Sequence, residues 1–308
     1  MEVDMLRRYS IENNKIIESD SGQDQLLVYC NPDENEKRKL IDELTIDEHT
    51  LNSAMDPDEL SRMEFEPNHV ALIYKRPKNY SGKDGLVFKV SSAGLFLFKD
   101  KLVIVLPEDI PLFDGKPFTK VSSLNEVMVK LIYRSIFHFL EHLKIINMIS
   151  DELEKKINAS MENSYLINLF TLEKSLVYYL NSINSNGVLI DKLKLGGSKI
   201  GFSTDEVEFL DDMMIENNQC YRQAEIYSNI LASLMDARAS IVGNNLNVLM
   251  KTLNIITIAI MVPTFVVSAF SMNVTIPLQQ HNYAFWIIIG MAGLSVATVT
   301  YIWKHKKW

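Results

Sequence analysis

The chain of 308 residues carries a net charge of -8, which argues against a nucleic-acid partner, because phosphate backbones recruit basic surfaces. Its hydrophobic content of 47% lies in the globular range, so any membrane signal has to be local. The two cysteines, Cys30 and Cys220, stand far apart without a His-rich or CxxC context, which excludes a disulfide framework and a cysteine zinc site.

At the start, MEVDMLRRYS contains no apolar core of a signal peptide, so no cleavable leader is expected. Residues 1–117 read as a compact α/β unit. Five β-rich runs (LLVYC, HVALIYKR, LVFKV, LFLFKD and LVIVLP) alternate with acidic helix-like stretches such as 33–49. Pro77, Gly82, Gly94, Pro107 and Pro111 punctuate them. After Pro117 the strand signals stop. Helical periodicity runs from Ser122 to about Ala159 and again from Ser164 to about Leu193, which predicts a helical hairpin over 118–202.

Gly196, Gly197 and Gly201 then break the chain, and STDE at 203–206 forms a capping box, Ser203 with Glu206, that opens a third long helix. Nothing stops that helix before Met272 except Pro263, inside an apolar stretch where kinks are tolerated. At 1.5 Å per residue it extends roughly 100 Å, so 203–251 reads as a stalk.

Two segments qualify as membrane spans. Residues 283–303, YAFWIIIGMAGLSVATVTYIW, are uncharged and measure about 31 Å as a helix, matching a hydrocarbon core of about 30 Å. Tyr283, Trp286, Tyr301 and Trp303 place aromatic belts at both ends. Residues 252–272 are also uncharged but carry Asn254, Thr257, Thr264 and Ser268. Lys251 precedes the first span, Lys304, Lys306 and Lys307 follow the second in the basic tail 304–308, and the loop 273–282 has no Lys or Arg. The positive-inside rule then predicts a cell-membrane protein with two spans and both termini cytoplasmic.

A polar stripe runs along the third helix. Asp236, Ser240, Gly243, Asn247, Met250, Asn254, Thr257, Met261, Thr264, Ser268 and Ser271 follow one another in steps of four and three without exception. A strict 3.5-residue repeat is the seam of a left-handed supercoil. Here the seam is mostly small, amide and hydroxyl side chains, while Ile255, Ile258, Val262, Phe265, Val266 and Ala269 form an apolar face. That arrangement suits a helical bundle around a wet pore. The competing reading is that the same Ser, Thr and Asn residues hold two helices together.

The C-terminal third resembles the CorA-type divalent-cation channels. NVLMKTLNIITIAIMVPTFVVSAFSMN at 247–273 is similar to the pore helix that ends in the family's Gly-Met-Asn signature. A short uncharged loop, a second span and a basic tail follow in the family order. DPDELSRMEFEPNHVALIY at 56–74 also resembles the family's cytoplasmic domain. The resemblance implies a funnel-shaped homopentamer in the lipid bilayer. It implies further that Asn273, with Met272 and Ser271, forms the outer selectivity filter, and that Asn247, Met250, Leu253, Thr257, Met261, Thr264 and Ser268 line the pore, with Met250 and Leu253 as the constriction. The cargo implied is Mg2+ or another divalent cation such as Co2+ or Ni2+. Cytoplasmic Mg2+ bound at Asp212, with Asp211 beside it, is implied to hold the pore closed. Two departures stand out: Ser271 replaces the signature glycine, and IPLQQHN after the signature has no carboxylate. The alternatives are a membrane-anchored sensor or scaffold of the same fold with altered or lost conduction, and a zinc transporter of that fold.

No enzyme chemistry competes well. HFLEH at 138–142 fits the inverted zinc-protease motif, with His138 and His142 as ligands and Glu141 as base, but no third ligand is evident. KLGGSKIG lacks phosphate-loop spacing, no nucleophile triad stands out, and no organic cofactor is expected.

Overall fold

The computed structural model describes residues 6–19, 24–80, 85–159, 163–274 and 281–305. The chain divides into two compact units, Met1–Met235 and Asp236–Trp308. Among the described residues the first contains seven strands: β1 Leu6–Glu12, β2 Lys15–Glu18, β3 Leu26–Cys30, β4 Arg62–Phe65, β5 His69–Pro77, β6 Val90–Phe98 and β7 Leu102–Leu106. They form one sheet in the order β2-β1-β3-β7-β6-β5-β4. Among the described residues β3 and β7 pair in parallel and every other pair of neighbours is antiparallel.

Side-chain alternation explains the layers on either side. Along β7, Leu102, Ile104 and Leu106 join one core while Val103 and Val105 join another. Along β5, Leu72 and Tyr74 face the first core, and Ala71 and Ile73 the second. A strand buried on both faces reads as an unbroken apolar run rather than an alternating one, which is why LVIVL stood out. The second core is closed by α1 Glu34–Asp42 and α2 Glu48–Ser53 through Leu40, Ile46 and Leu51. The first is closed by α3 Leu124–Ala159, α4 Asn163–Leu195 and one face of α6 Thr204–Phe270. A four-residue helix, α5 Gly197–Ile200, precedes α6, and Gly201 adopts φ +83° after it, a left-handed conformation that glycine takes without a Cβ penalty.

The capping box read from STDE is formed. Ser203 Oγ accepts from the Glu206 N–H at 3.2 Å, and Glu206 Oε2 accepts from the Ser203 N–H at 2.8 Å. The other Glu206 oxygen accepts from Ser123 Oγ at 2.8 Å, tying the starts of α3 and α6 together.

Two sequence expectations are overturned. LVFKV does not form a strand of its own: Gly85 and Leu86 take positive φ, +58° and +67°, so the backbone turns there and β6 begins only at Val90. The apolar signal came instead from Phe88, which is buried and whose N–H is bonded by Ser175 Oγ at 3.1 Å. Gly94 is not punctuation but the middle of β6, opposite Ile73 and Val105. A Cβ there would meet the Ala54 Cβ at 2.6 Å, so glycine lets α2 close onto the sheet. Gly82 lies outside the described residues.

The second unit contains the rest of α6 and α7 Ala284–His305. Past Leu231 no residue of α6 is buried.

Candidate functional site

Both α6 and α7 are long and apolar enough to cross a membrane, and none of the apolar window of either is buried within the chain. Pro263 lies inside α6 without ending it. Proline has no N–H to donate to the carbonyl four residues back, a loss tolerated in membrane helices where neighbours compensate. After Phe270 the helix closes with a tighter turn, the Ser271 N–H donating to the Ser268 carbonyl at 3.0 Å.

Burial divides the membrane part of α6 into two faces. Ile255, Ala259, Val262, Pro263, Val266 and Phe270 are half-buried, as are Ala284, Ile288, Met291, Ala292, Ser295 and Val299 on α7. Both sets recur at helical spacing and consist of small or apolar residues apart from Ser295. This is the face each helix turns toward the other in the hairpin. A cleft lined by Ile255 and Ile258 of α6 and by Val299, Ile302 and Trp303 of α7 marks where the start of the first span meets the end of the second.

The polar stripe lies elsewhere on the helix. Asn247, Met250, Thr257, Met261, Thr264, Ser268 and Ser271 are all exposed, Met261 at 63%. Leu253, off the stripe by period, is exposed beside them. Asn254 is exposed too but borders the cleft. The reading in which these polar residues bind α6 to α7 within one chain therefore fails, because the half-buried side of α6 is apolar. Of the predicted apolar face, Ile255, Val262 and Val266 pack inward, while Ile258, Phe265 and Ala269 stay exposed. Ala259 and Phe270 belong to the packed face and escaped the sequence reading; a walk of alternating four and three steps from Ile255 passes through Ala259, Val262 and Val266 but ends on Ala269 rather than Phe270.

Hydrogen bonding orients the hydroxyls of the stripe. Thr257 Oγ1 donates to the Leu253 carbonyl at 2.9 Å, Thr264 Oγ1 to the Ile260 carbonyl at 2.6 Å, and Ser271 Oγ to the Val267 carbonyl at 2.9 Å. A hydroxyl has one hydrogen and two lone pairs. With the hydrogen committed inside the helix, each oxygen presents only acceptor capacity outward. Ser271 has no positive φ, unlike Asn13, Asn14, Asn31, Thr45 and Leu86, so a side chain there costs no backbone strain. Met272 and Asn273 follow, both exposed. Residues 275–280, most of the uncharged loop, and the lysines at 306 and 307 lie outside the described residues.

The acidic pair sits in the first unit, on α6. Asp211 forms an ion pair with Lys194 of α4. Asp212 is exposed, and with Glu216 it raises the proton affinity of Tyr133, whose pKa is pushed up first by burial. Among the described residues no three metal-ligating side chains converge. Asp212 offers one open carboxylate beside the paired Asp211.

The HFLEH histidines share a helix face, with ring centroids 4.5 Å apart. His142 Nδ1 lies 2.6 Å from the Tyr179 hydroxyl, and Glu141 points away into solvent. Burial, followed by His138, pushes His142 down to about 4. Both rings pack in the first unit, and among the described residues no third metal-binding side chain joins them.

Comparison with known proteins follows the same architecture. Residues 27–306 match the family model described as CorA-like Mg2+ transporter protein. The chain is 24% identical over 302 residues to the cobalt/magnesium transport protein CorA of Methanocaldococcus jannaschii, covering 94% of this chain and 93% of that one. The complete structure of the CorA magnesium transporter from that organism superposes with a TM-score of 0.84 at 19% identity, covering 99% of both chains. The full-length CmaX structure superposes with a TM-score of 0.75 at 14% identity, covering 99% of this chain and 97% of that one.

Proposed function

Because the chain belongs to the CorA-like Mg2+ transporter family, a family of transporters rather than enzymes, we propose that it assembles as a homopentamer whose α6 helices line a pore for hydrated Mg2+. The observation that carries this reading is the exposed polar stripe on α6, set apart from the apolar face half-buried in the hairpin. Lipid cannot satisfy amides and hydroxyls, so such a face belongs against other subunits or a water-filled cavity. The 3.5-residue period keeps it turned toward a common axis along its length.

The chemistry of the stripe fits the cargo. Mg2+ sheds its waters reluctantly, and those waters point their hydrogens outward. A pore for the hydrated ion therefore needs acceptors that are neutral. The side-chain oxygens of Asn273, Thr264, Thr257 and Asn247 meet that requirement, and the pinned hydroxyl hydrogens keep the threonines from presenting donors instead. In this reading Asn273, with Met272 and Ser271, forms the outer filter, and Met261 and Ser268 complete the lining. Met250 and Leu253 form an apolar constriction that gates by dewetting. The non-strained backbone at Ser271 supports a filter that accepts serine where the family signature has glycine. Lys251 before the first span, Lys304 after the second and a loop without Lys or Arg favour cytoplasmic termini. Asp212, with Asp211, is the proposed half-site at which cytoplasmic Mg2+ bridges to a neighbouring subunit and favours the closed state, a bias that requires differential affinity for that state. Co2+, as in the name of the archaeal relative, is the second cation to test.

Purified protein in liposomes tests the reading through Mg2+ and Co2+ influx. Wild type should conduct and Asn273→Ala should not. Influx untouched by Asn273→Ala would remove the filter. A silent wild type revived by Ser271→Gly would replace the transporter with a non-conducting relative of the same fold. Native mass spectrometry should give five copies.

A further inference from the structure

Away from the membrane part, the first unit holds a small cavity of about 70 Å³ between β5, α3 and the segment after β7. Its polar lining is Tyr74, Arg76, Asn79, Arg134, Ser135 and His138. Tyr74, Arg76 and Ser135 are buried, while Asn79 is exposed at the rim. Tyr74 and Arg76 are two apart on β5, so alternation sends both toward α3; Arg134, Ser135 and His138 lie within about one turn of each other on α3.

The charges in this cavity are not balanced. Arg76 pairs with Glu108 through one guanidinium nitrogen at 2.6 Å, and Lys78 claims the other oxygen of the same carboxylate at 3.3 Å. The Arg76 Nε is buried with no hydrogen-bond partner, in a side chain only 5% exposed. Arg134 donates to the Leu112 carbonyl, and no carboxylate pairs with it among the described residues. Arg76 and Lys78 thus share one carboxylate, and Arg134 on the cavity wall has none of its own among the described residues. Two of its own titratable groups register the resulting field. Burial, then Arg76 and Arg134, pushes His138 down to about 4, and burial pushes Tyr74 up to about 12 against the pull of the same two arginines.

A buried guanidinium nitrogen without an acceptor is costly to keep in a fold. Water satisfies a donor but not a net charge, whereas an oxyanion does both, and the arginine fork matches the oxygens of phosphate-like groups. At about 70 Å³ the cavity has room for one small tetrahedral oxyanion. We propose that this cavity is a binding site for a small inorganic oxyanion of phosphate or sulfate type, held by Arg76 and Arg134 with the Tyr74 hydroxyl and the Asn79 amide as further donors. The site is separate from the polar stripe of α6 and from Asp211 and Asp212, and it stands whether or not the pore conducts.

The test is calorimetric titration of the detergent-solubilised full chain with inorganic phosphate and with sulfate, ionic strength being held by chloride. Saturable binding of one oxyanion per chain is expected. Arg134→Gln should weaken it roughly tenfold or more, and Lys89→Gln, an exposed charge outside the cavity, should leave it unchanged. Binding indistinguishable from chloride overturns the proposal, and so does equal affinity in Arg134→Gln and wild type. Should Arg134→Gln fail to fold, wild-type crystals soaked in selenate give the decision: an anomalous peak between Arg76 and Arg134 supports the site, and its absence overturns it.

Discussion

The Asn186 side chain takes both backbone groups of Lys75: its Oδ1 accepts from the Lys75 N–H at 2.8 Å and its Nδ2 donates to the Lys75 carbonyl at 2.8 Å. β4 pairs with β5 only as far as Arg62 opposite Ile73. One turn of α4 thus supplies, with a single amide, the two hydrogen bonds that one residue of a longer β4, two positions beyond Arg62, would have made. Ser61 Oγ also donates to the Asn186 Oδ1 at 2.7 Å, so the end of β4 is held at the same point. Asn186 is fully buried.

Replacing that amide leaves buried backbone groups without partners, at about 1–3 kcal/mol each. Asn186→Leu is therefore expected to lower stability by roughly 2–4 kcal/mol. Asn186→Asp should be at least as severe, because it removes the donor and introduces a buried charge. Denaturant unfolding of the purified full chain, followed through the first unit's β-sheet signal, measures both.

Thr264 separates shape from chemistry on the proposed pore lining. Thr264→Val keeps the branched outline and removes the oxygen that the bond to Ile260 leaves facing outward. Influx of Mg2+ into liposomes should fall several-fold, while Thr264→Ser should keep most of it. Equal influx in Thr264→Val and wild type would count against an acceptor role for this position.

Lys194 neutralises Asp211 across α4 and α6. Both side chains are about half exposed, 46% and 50%, so the pair adds little to stability, on the order of 0–1 kcal/mol. Its removal should instead be felt by cations. If Asp211 and Asp212 form a regulatory half-site, Lys194→Ala should lower the cytoplasmic Mg2+ concentration that suppresses influx, and Asp212→Asn should raise it. Identical Mg2+ inhibition curves for all three proteins would dissociate these residues from regulation.

Acid should destabilise the first unit through His142. Its folded pKa of about 4 lies below the ordinary value of 6.5, so the unfolded chain binds the proton more readily. The stability from keeping this imidazole neutral is complete above pH 6.5 and is lost as pH falls from there through about 4. Thermal unfolding should drop across that window and drop less steeply in His142→Gln. An identical pH dependence in the variant would show that His142 does not carry the effect.

Local chemistry was legible where it depends on residues near one another in the chain. The two spans, the Ser203–Glu206 box and the 3.5-residue stripe all follow from composition or spacing within a few turns. The run LVIVL announced β7 because burial on both faces removes polar residues from both sides of a strand. LVFKV carried the same apolar signal for another reason, the single buried Phe88, and the positive φ at Gly85 and Leu86 decided against a strand. The short strands β1, β2 and β4 were missed because they are only partly buried and their pattern is weak.

Taken alone, the sequence determined where the chain can enter a membrane, which face of the first span is polar, and how its long helix begins. These are properties of neighbours on one helix, and helical geometry translates spacing into position directly. Tertiary structure alone decided the parallel pairing of β3 with β7, the amide of Asn186 on a backbone 111 residues away, and the meeting of Arg76 with Arg134 at one cavity. It also decided which side of the first span packs in the hairpin. Such relationships arise from packing elements distant in the chain, where the burial of apolar faces brings together polar groups that no local pattern marks as partners.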